Sequence, residues 1–212
     1  MFGMLSAVQI ATALIGGYLL GSIPFGVIAT RMAGVGDVRS IGSGSIGATN
    51  VLRTGRRDLA LITVLGDGGK GALAVALAWW ATQEADRVTQ AELMALAGGA
   101  AFIGHLFSVW LGFKGGKGVA TFFGTLLAAA WPAGVLAGAT WLLVAFVSRI
   151  SSVAGLAAAL TAPLYVYLTG RPPALVAMTV VMGVLIFVRH AANIRRLAKG
   201  QEPKIGAGKA PG

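Results

Sequence analysis

Lys114 and Lys117 flank Gly115 and Gly116, with Gly118 next and an apolar run from Val119 onward. Glycines lack side chains and let consecutive backbone N–H groups turn toward one point, while ammonium groups and the N-terminus of a following helix add positive charge. The chemistry expected of such a loop is the binding of a phosphate-like anion. The plainer alternative is a tight turn between membrane helices whose lysines hold it on the cytoplasmic side.

Three other stretches carry similar chemistry. RSIGSGSIGATNVLRTGRR, at 39–57, combines flexible backbone with the donors Ser43, Ser45, Thr49, Asn50 and Arg53, a set suited to an anion or a polar head group. Gly42, Gly44 and Gly47 spell GxGxxG, but the dinucleotide fingerprint requires a strand and a βαβ unit that a helical membrane bundle lacks. Asp67 and Lys70 interrupt an apolar run at a spacing of three, so they share a helical face and can pair beside a wet cavity, where intramembrane charge is tolerated. RHAANIRRLAKGQEPK, at 189–204, puts His190, Asn193 and Leu197 on one helical face and Arg189 and Arg196 on another. His190 can shuttle a proton or donate to phosphate, although such a segment also suits a basic juxtamembrane helix on anionic lipid. Arg149, Ser151 and Ser152 form a smaller patch of donors.

The elements that must position these residues are membrane helices. Hydrophobic residues make up 56% of 212, only 11% are charged, and mean hydropathy is +0.79. These values predict an all-α integral membrane protein forming one bundle over 1–212, with no separate soluble domain. The formal net charge of +10 would suggest nucleic acid in a soluble protein, but here the basic residues sit at the ends of apolar runs, where they set topology. No nucleic-acid partner is expected. The absence of cysteine excludes disulfides, thiol nucleophiles and thiolate metal sites.

A crossing helix needs ~20 apolar residues. Seven runs qualify, near 4–30, 57–81, 90–111, 117–130, 132–148, 152–169 and 173–192, of which 117–130 is short enough to tilt or insert only partly. The first is too long for a signal-peptide core and is expected to remain as a helix. Lysine and arginine number five in 31–57, two in 112–118, one at 149 and six from 189 onward, against only Arg87 and Arg171 in the alternate connections. The N-terminus is therefore expected outside and the C-terminus in the cytoplasm, with all four donor-rich stretches on one face. Gly16, Gly17, Gly21, Gly98 and Gly99 read as close-packing positions, and Trp79, Trp80, Trp110 and Trp131 as interfacial anchors.

GSIPFG at 21–26, IGSGSIGATNVLR at 41–53, GHLFSVWLGFKGGKGVAT at 104–121 and RHAANIRRL at 189–197 together resemble the bacterial acyl-phosphate-dependent glycerol-3-phosphate acyltransferases of the PlsY type. The resemblance runs in order and spacing from Gly21 to Glu202. It implies a seven-helix inner-membrane enzyme with a cytoplasmic site that moves a fatty acyl group from acyl phosphate to glycerol 3-phosphate, the first acylation of phospholipid biosynthesis. The products would be lysophosphatidic acid and inorganic phosphate. The partners implied are the two substrates, the lipid bilayer and a soluble enzyme that makes the acyl phosphate. The first motif's functional residues fall on Ser43, Thr49, Asn50 and Arg53, the glycine-lysine motif on Lys114 to Lys117, and the last on His190, Asn193 and Glu202. One departure is Ser45, where the family usually has asparagine.

The resulting candidates for catalysis are Ser43, Asn50, Lys117, His190 and Asn193. Those for substrate binding are Ser45, Thr49, Arg53, Asp67, Lys70, His105, Lys114, Gly115, Gly116, Gly118, Thr121, Ser152, Arg196 and Glu202. Commoner glycerolipid acyltransferases use a histidine followed five positions on by aspartate, but Trp110 follows His105 and Arg195 follows His190 at that distance. With no cysteine and no GxSxG elbow, direct attack on the activated acyl phosphate is expected rather than an acyl-enzyme. The base is His190 or a substrate phosphate oxygen. A small transporter or flippase for a phosphorylated metabolite also suits glycine-broken helices, though it should bring donors to the midplane and to both faces. A lipid-binding scaffold would leave Asp67 and Lys70 without a purpose. The sequence offers no metal-ligand cluster, so neither metal nor other cofactor is expected. Acyl transfer should persist in chelator, and loss that an added divalent ion restores would overturn that expectation.

Overall fold

Proline, arginine and short polar runs cut the apolar chain into helices. The structure, a computed structural model, describes residues 5–42 and 44–205. Its helices are α1 (Ala7–Ser22), α2 (Phe25–Met32), α3 (Ala48–Val51), α4 (Arg57–Trp80), α5 (Arg87–Leu106), α6 (Val119–Ala129), α7 (Trp131–Ser148), α8 (Ser151–Leu168), α9 (Pro173–Arg189) and α10 (Ala191–Ala198). No strand occurs among the described residues.

The boundaries have local causes. The Asp86 carboxylate accepts from the N–H groups of Val88 and Thr89 and starts α5. Pro132 and Pro173 occupy first turns, where the missing N–H costs nothing. Arg149, at φ 57°, turns the chain from α7 into α8. Pro24 separates α1 from α2, and the carbonyl of Ile23 left at that break accepts from Lys70 Nζ at 2.7 Å.

Among the described residues, five stretches are long and apolar enough to cross a membrane: Ala7–Met32, Arg57–Trp80, Arg87–Leu111, Trp131–Ser148 and Ser151–Leu168. A sixth, α9 followed by α10, bends by 58° at His190. The expected run at 117–130 forms only the 11-residue α6, about 16 Å long and well short of a hydrocarbon core of about 30 Å. The reason lies in the preceding loop, which descends into the bundle before the helix begins.

Helix α5 is the central post, contacting α1, α4, α6 and α9. The core is built on Phe102, Leu106, Phe122, Leu126, Met182 and Ile186, all buried. A second apolar cluster of Val27, Val38, Ile46, Val51, Leu59 and Ala60 lies beneath the 38–60 connection. The flexible backbone expected there is instead pinned to the bundle by side chains with 0–1% exposure at Val38, Ile46 and Val51. Large apolar side chains such as Leu65, Phe146, Val147 and Leu160 face outward, as they do where lipid is the solvent. Trp79, Trp80, Trp110 and Trp131 are exposed near helix ends, as expected of interfacial rings.

The most extensive helix pairing, α1 on α5, depends on small residues. A Cβ on Gly21 would fall 1.9 Å from the carbonyl oxygen of Ala101, whereas one on Gly16 would meet nothing within 4 Å. Gly21→Ala is therefore expected to destabilise purified protein in detergent by about 1–3 kcal/mol, read as a lower thermal unfolding midpoint. Gly16→Ala should leave the midpoint unchanged, and equal effects of the two substitutions would contradict this packing.

Candidate active site

The N–H groups of Gly115 and Gly116 are not offered to an anion in the glycine-lysine loop. The Gly115 N–H donates to the Leu106 carbonyl at 3.1 Å, and the Gly116 N–H to the His105 carbonyl at 3.0 Å. The carbonyls of the same two glycines accept from Arg189, Gly115 from Nη2 at 2.8 Å and Gly116 from Nε at 3.1 Å. The glycines are needed for close approach: a Cβ at 115 would lie 2.0 Å from the His105 carbonyl oxygen, and one at 116 would lie 2.2 Å from His105 Nε2. With the backbone groups of Gly115 and Gly116 used internally, the loop presents Lys117 to the cavity and leaves Lys114 exposed outside it.

That cavity measures about 480 Å³ and draws on four distant parts of the chain. Ser45, Thr49, Asn50 and Arg53 come from the first connection, Asp67 and His105 from α4 and α5, Lys117 and Gly118 from the loop, and Ser152, His190, Asn193, Arg196 and Glu202 from α8 and the C-terminal segment. An apolar side contains Val64, Phe123, Trp141 and Leu142. Polar chemistry and an apolar wall therefore share one space.

Asn50 spends its amide on the loop. Its Nδ2 donates toward the carbonyls of Val38, Ile41 and Ser45 at 2.8–2.9 Å, and the residue is 2% exposed. Two amide hydrogens shared among three carbonyls hold the connection in place. The Thr49 and Ser151 hydroxyls lie 3.5 Å apart, joining that loop to the start of α8.

Glu202 is seated among donors: Ser152 Oγ donates to Oε1 at 2.8 Å, Arg196 Nε to Oε2 at 2.7 Å, and Asn193 Nδ2 also to Oε1. Burial opposes its charge, but these hydrogen bonds prevail and hold its pKa below the usual carboxylate range. The Ile205 N–H donates to the Arg149 carbonyl, tying the C-terminal segment to the α7–α8 turn. Lys117 makes no hydrogen bond or ion pair among the described residues. His190 Nδ1 is 2.8 Å from the Ile186 carbonyl, so Nδ1 carries a proton and the Nε2 of the neutral ring is an acceptor.

Several expected substrate contacts lie elsewhere. Lys70 does not line the cavity: its Nζ is held by the Ile23 carbonyl and lies 3.1 Å from Asp67 Oδ1. Thr121 is fully buried with an unpartnered hydroxyl, and Lys114, Gly115 and Gly116 are also outside the lining. Ser43 lies outside the described residues. Asp67 and His105 reach the lining but are 1% and 3% exposed, with Asp67 Oδ1 3.6 Å from His105 Nδ1. Sequence reasoning missed Trp141, a mid-helix aromatic with no motif around it, and it placed Arg189 on a helical face with Arg196 without foreseeing its contact with the glycine-lysine loop.

A model of the glycerol-3-phosphate acyltransferase family matches residues 11–200. A glycerol-3-phosphate acyltransferase of Caulobacter vibrioides is 61% identical over 92% of this chain and 87% of its own. One from Paramagnetospirillum magneticum is 54% identical over 95% and 96%. The crystal structure of PlsY, an integral membrane glycerol 3-phosphate acyltransferase in its glycerol 3-phosphate form, superposes with a TM-score of 0.85 at 34% identity, covering 93% of this chain and 96% of that one. A second structure, its lysophosphatidic acid form, gives 0.83 at 33% identity, covering 93% and 95%. A cationic cavity beside an apolar wall, within helices of this arrangement, thus has close relatives on both sequence and structural grounds, and the chain belongs to the glycerol-3-phosphate acyltransferase family.

Proposed function

We propose that this protein transfers a fatty acyl group from acyl phosphate to the 1-hydroxyl of glycerol 3-phosphate, releasing lysophosphatidic acid and inorganic phosphate as the first acylation of phospholipid biosynthesis. The observation that carries this reading is the two-sided cavity. Lys117, Arg53 and Arg196 supply positive charge for phosphate groups, while Val64, Phe123, Trp141 and Leu142 offer an apolar wall for an acyl tail. Glycerol 3-phosphate in one PlsY structure and lysophosphatidic acid in another support the acceptor and the product.

In the proposed step, the acceptor hydroxyl oxygen attacks the acyl carbonyl carbon. The bond from that carbon to the phosphate oxygen breaks, the leaving phosphate takes the electron pair, and a base takes the hydroxyl proton. His190 Nε2, an acceptor by virtue of its Nδ1 hydrogen bond, supports His190 over a substrate phosphate as that base. Lys117 and Asn193 would offset charge on phosphate and carbonyl oxygens. Acyl phosphate is already activated, so alignment and electrostatic stabilisation account for the catalysis asked of the site. A soluble enzyme making acyl phosphate would then be the supplying partner.

Orientation follows from charge. The basic connections at 31–57, 112–118, 149 and beyond 189 favour the cytoplasmic side of a bacterial inner membrane, with the N-terminus outside. This pattern requires seven crossings, with the run at 117–130 making the fourth.

Purified protein given acyl phosphate and glycerol 3-phosphate is expected to release inorganic phosphate only when both are present. No release, together with uptake of glycerol 3-phosphate into proteoliposomes, would replace this function with transport. Lys117→Ala should cost about 10- to 100-fold in kcat/KM for glycerol 3-phosphate. Unchanged saturation by glycerol 3-phosphate would refute the role given to Lys117.

A further inference from the structure

Arg189 adjoins His190 and does not line the cavity, yet it is the group that fixes the loop carrying Lys117. Its guanidinium meets two successive carbonyls, Gly115 and Gly116, and lies 5.7 Å from the centre of the Phe107 ring. Planar donors in a fixed fork suit two adjacent acceptors in a way that a single ammonium does not. On its other side the loop is closed by the carbonyls of His105 and Leu106, and the His105 imidazole fills the space a Cβ at 116 would need. Behind His105 stand Asp67 and Lys70, both buried, with Lys70 anchored to the α1–α2 break.

We propose that Arg189 is a positioning residue for glycerol 3-phosphate binding. It turns the Gly115 and Gly116 carbonyls away from the cavity and sets Lys117 at a fixed place relative to His190, one residue along its own chain. This inference rests on the role given to Lys117 in acyl transfer. Without Arg189, two carbonyl dipoles at the loop lose their donors and become free to turn, and negative oxygen would then compete with the substrate phosphate for Lys117. The clamp also joins α5, the loop and the α9–α10 bend into one unit, so that the phosphate-binding cation and the proposed base are held by the same side chain.

The test compares wild-type protein with Arg189→Gln and Arg189→Lys, purified in detergent, with both substrates varied. The wild type must release phosphate in a glycerol 3-phosphate-dependent manner; failure there rejects the acyltransferase reading itself, independently of Arg189. Arg189→Gln is expected to raise KM for glycerol 3-phosphate about tenfold or more and leave KM for acyl phosphate within about twofold. Arg189→Lys reaches one carbonyl at a time and should raise that KM about threefold. An active wild type with either variant matching it in KM for glycerol 3-phosphate would overturn the inference, as would equal losses for both substrates. If Arg189→Gln does not accumulate, the KM of Arg189→Lys decides the question alone.

Discussion

The loop from Gly112 to Gly118 enters an apolar bundle, and the constraint on everything around it is that its backbone polar groups must find partners there. In hydrocarbon an unsatisfied N–H or carbonyl costs several kcal/mol, so irregular backbone at membrane depth survives only when buried in protein or beside a wet cavity. Here the N–H groups of Gly115 and Gly116 go to the carbonyls of Leu106 and His105, and their own carbonyls go to Arg189. Only glycine permits that approach, because a Cβ at either position would run into His105. The descent of the loop also explains why α6 is short: the helix begins only after the chain has been carried inward, with Gly118 against the Phe102 ring.

The same accounting organises the other polar groups. Lys70 serves a carbonyl freed by Pro24 and pairs with Asp67, which in turn faces His105. Asn50 holds three carbonyls of the first connection, and Glu202 gathers Ser152, Asn193 and Arg196. Each charged or amide side chain in the interior fixes one segment against another, and the cavity is what remains between those fixed segments. Lys117 stands apart from this pattern. Its ammonium is partly buried and makes no hydrogen bond or ion pair among the described residues.

Relatives named as glycerol-3-phosphate acyltransferases, and crystal structures of PlsY with the acceptor and the product, place this architecture in a family whose reaction joins a charged head to an apolar chain. The cavity has a side for each. The apolar wall of Val64, Phe123, Trp141 and Leu142 adjoins a cluster of arginine, lysine, amide and hydroxyl groups, so a ligand with both characters can lie across the boundary without leaving a charge in hydrocarbon.

Membrane class, the main helical runs and the convergence of four donor-rich stretches could all be read from the residues, since each is a one-dimensional property: apolar length, charge at span ends, and spacing of polar types. Placing Ser45, Thr49, Arg53, Lys117, Ser152, His190, Asn193 and Arg196 around one space required no more than putting those stretches on one face. What each polar group does there was a different matter. Asn50 and Lys70 have the same chemistry whether they meet a ligand or a backbone carbonyl, Gly115 and Gly116 suit an anion nest as well as close packing on His105, and Arg189 is one basic residue among six in its segment. The amino-acid sequence alone determined which groups were available and on which side of the bundle they would gather. The tertiary structure decided which of them were consumed in satisfying buried backbone and which, like Lys117, were left over, because a hydrogen bond depends on distances between residues far apart in the chain.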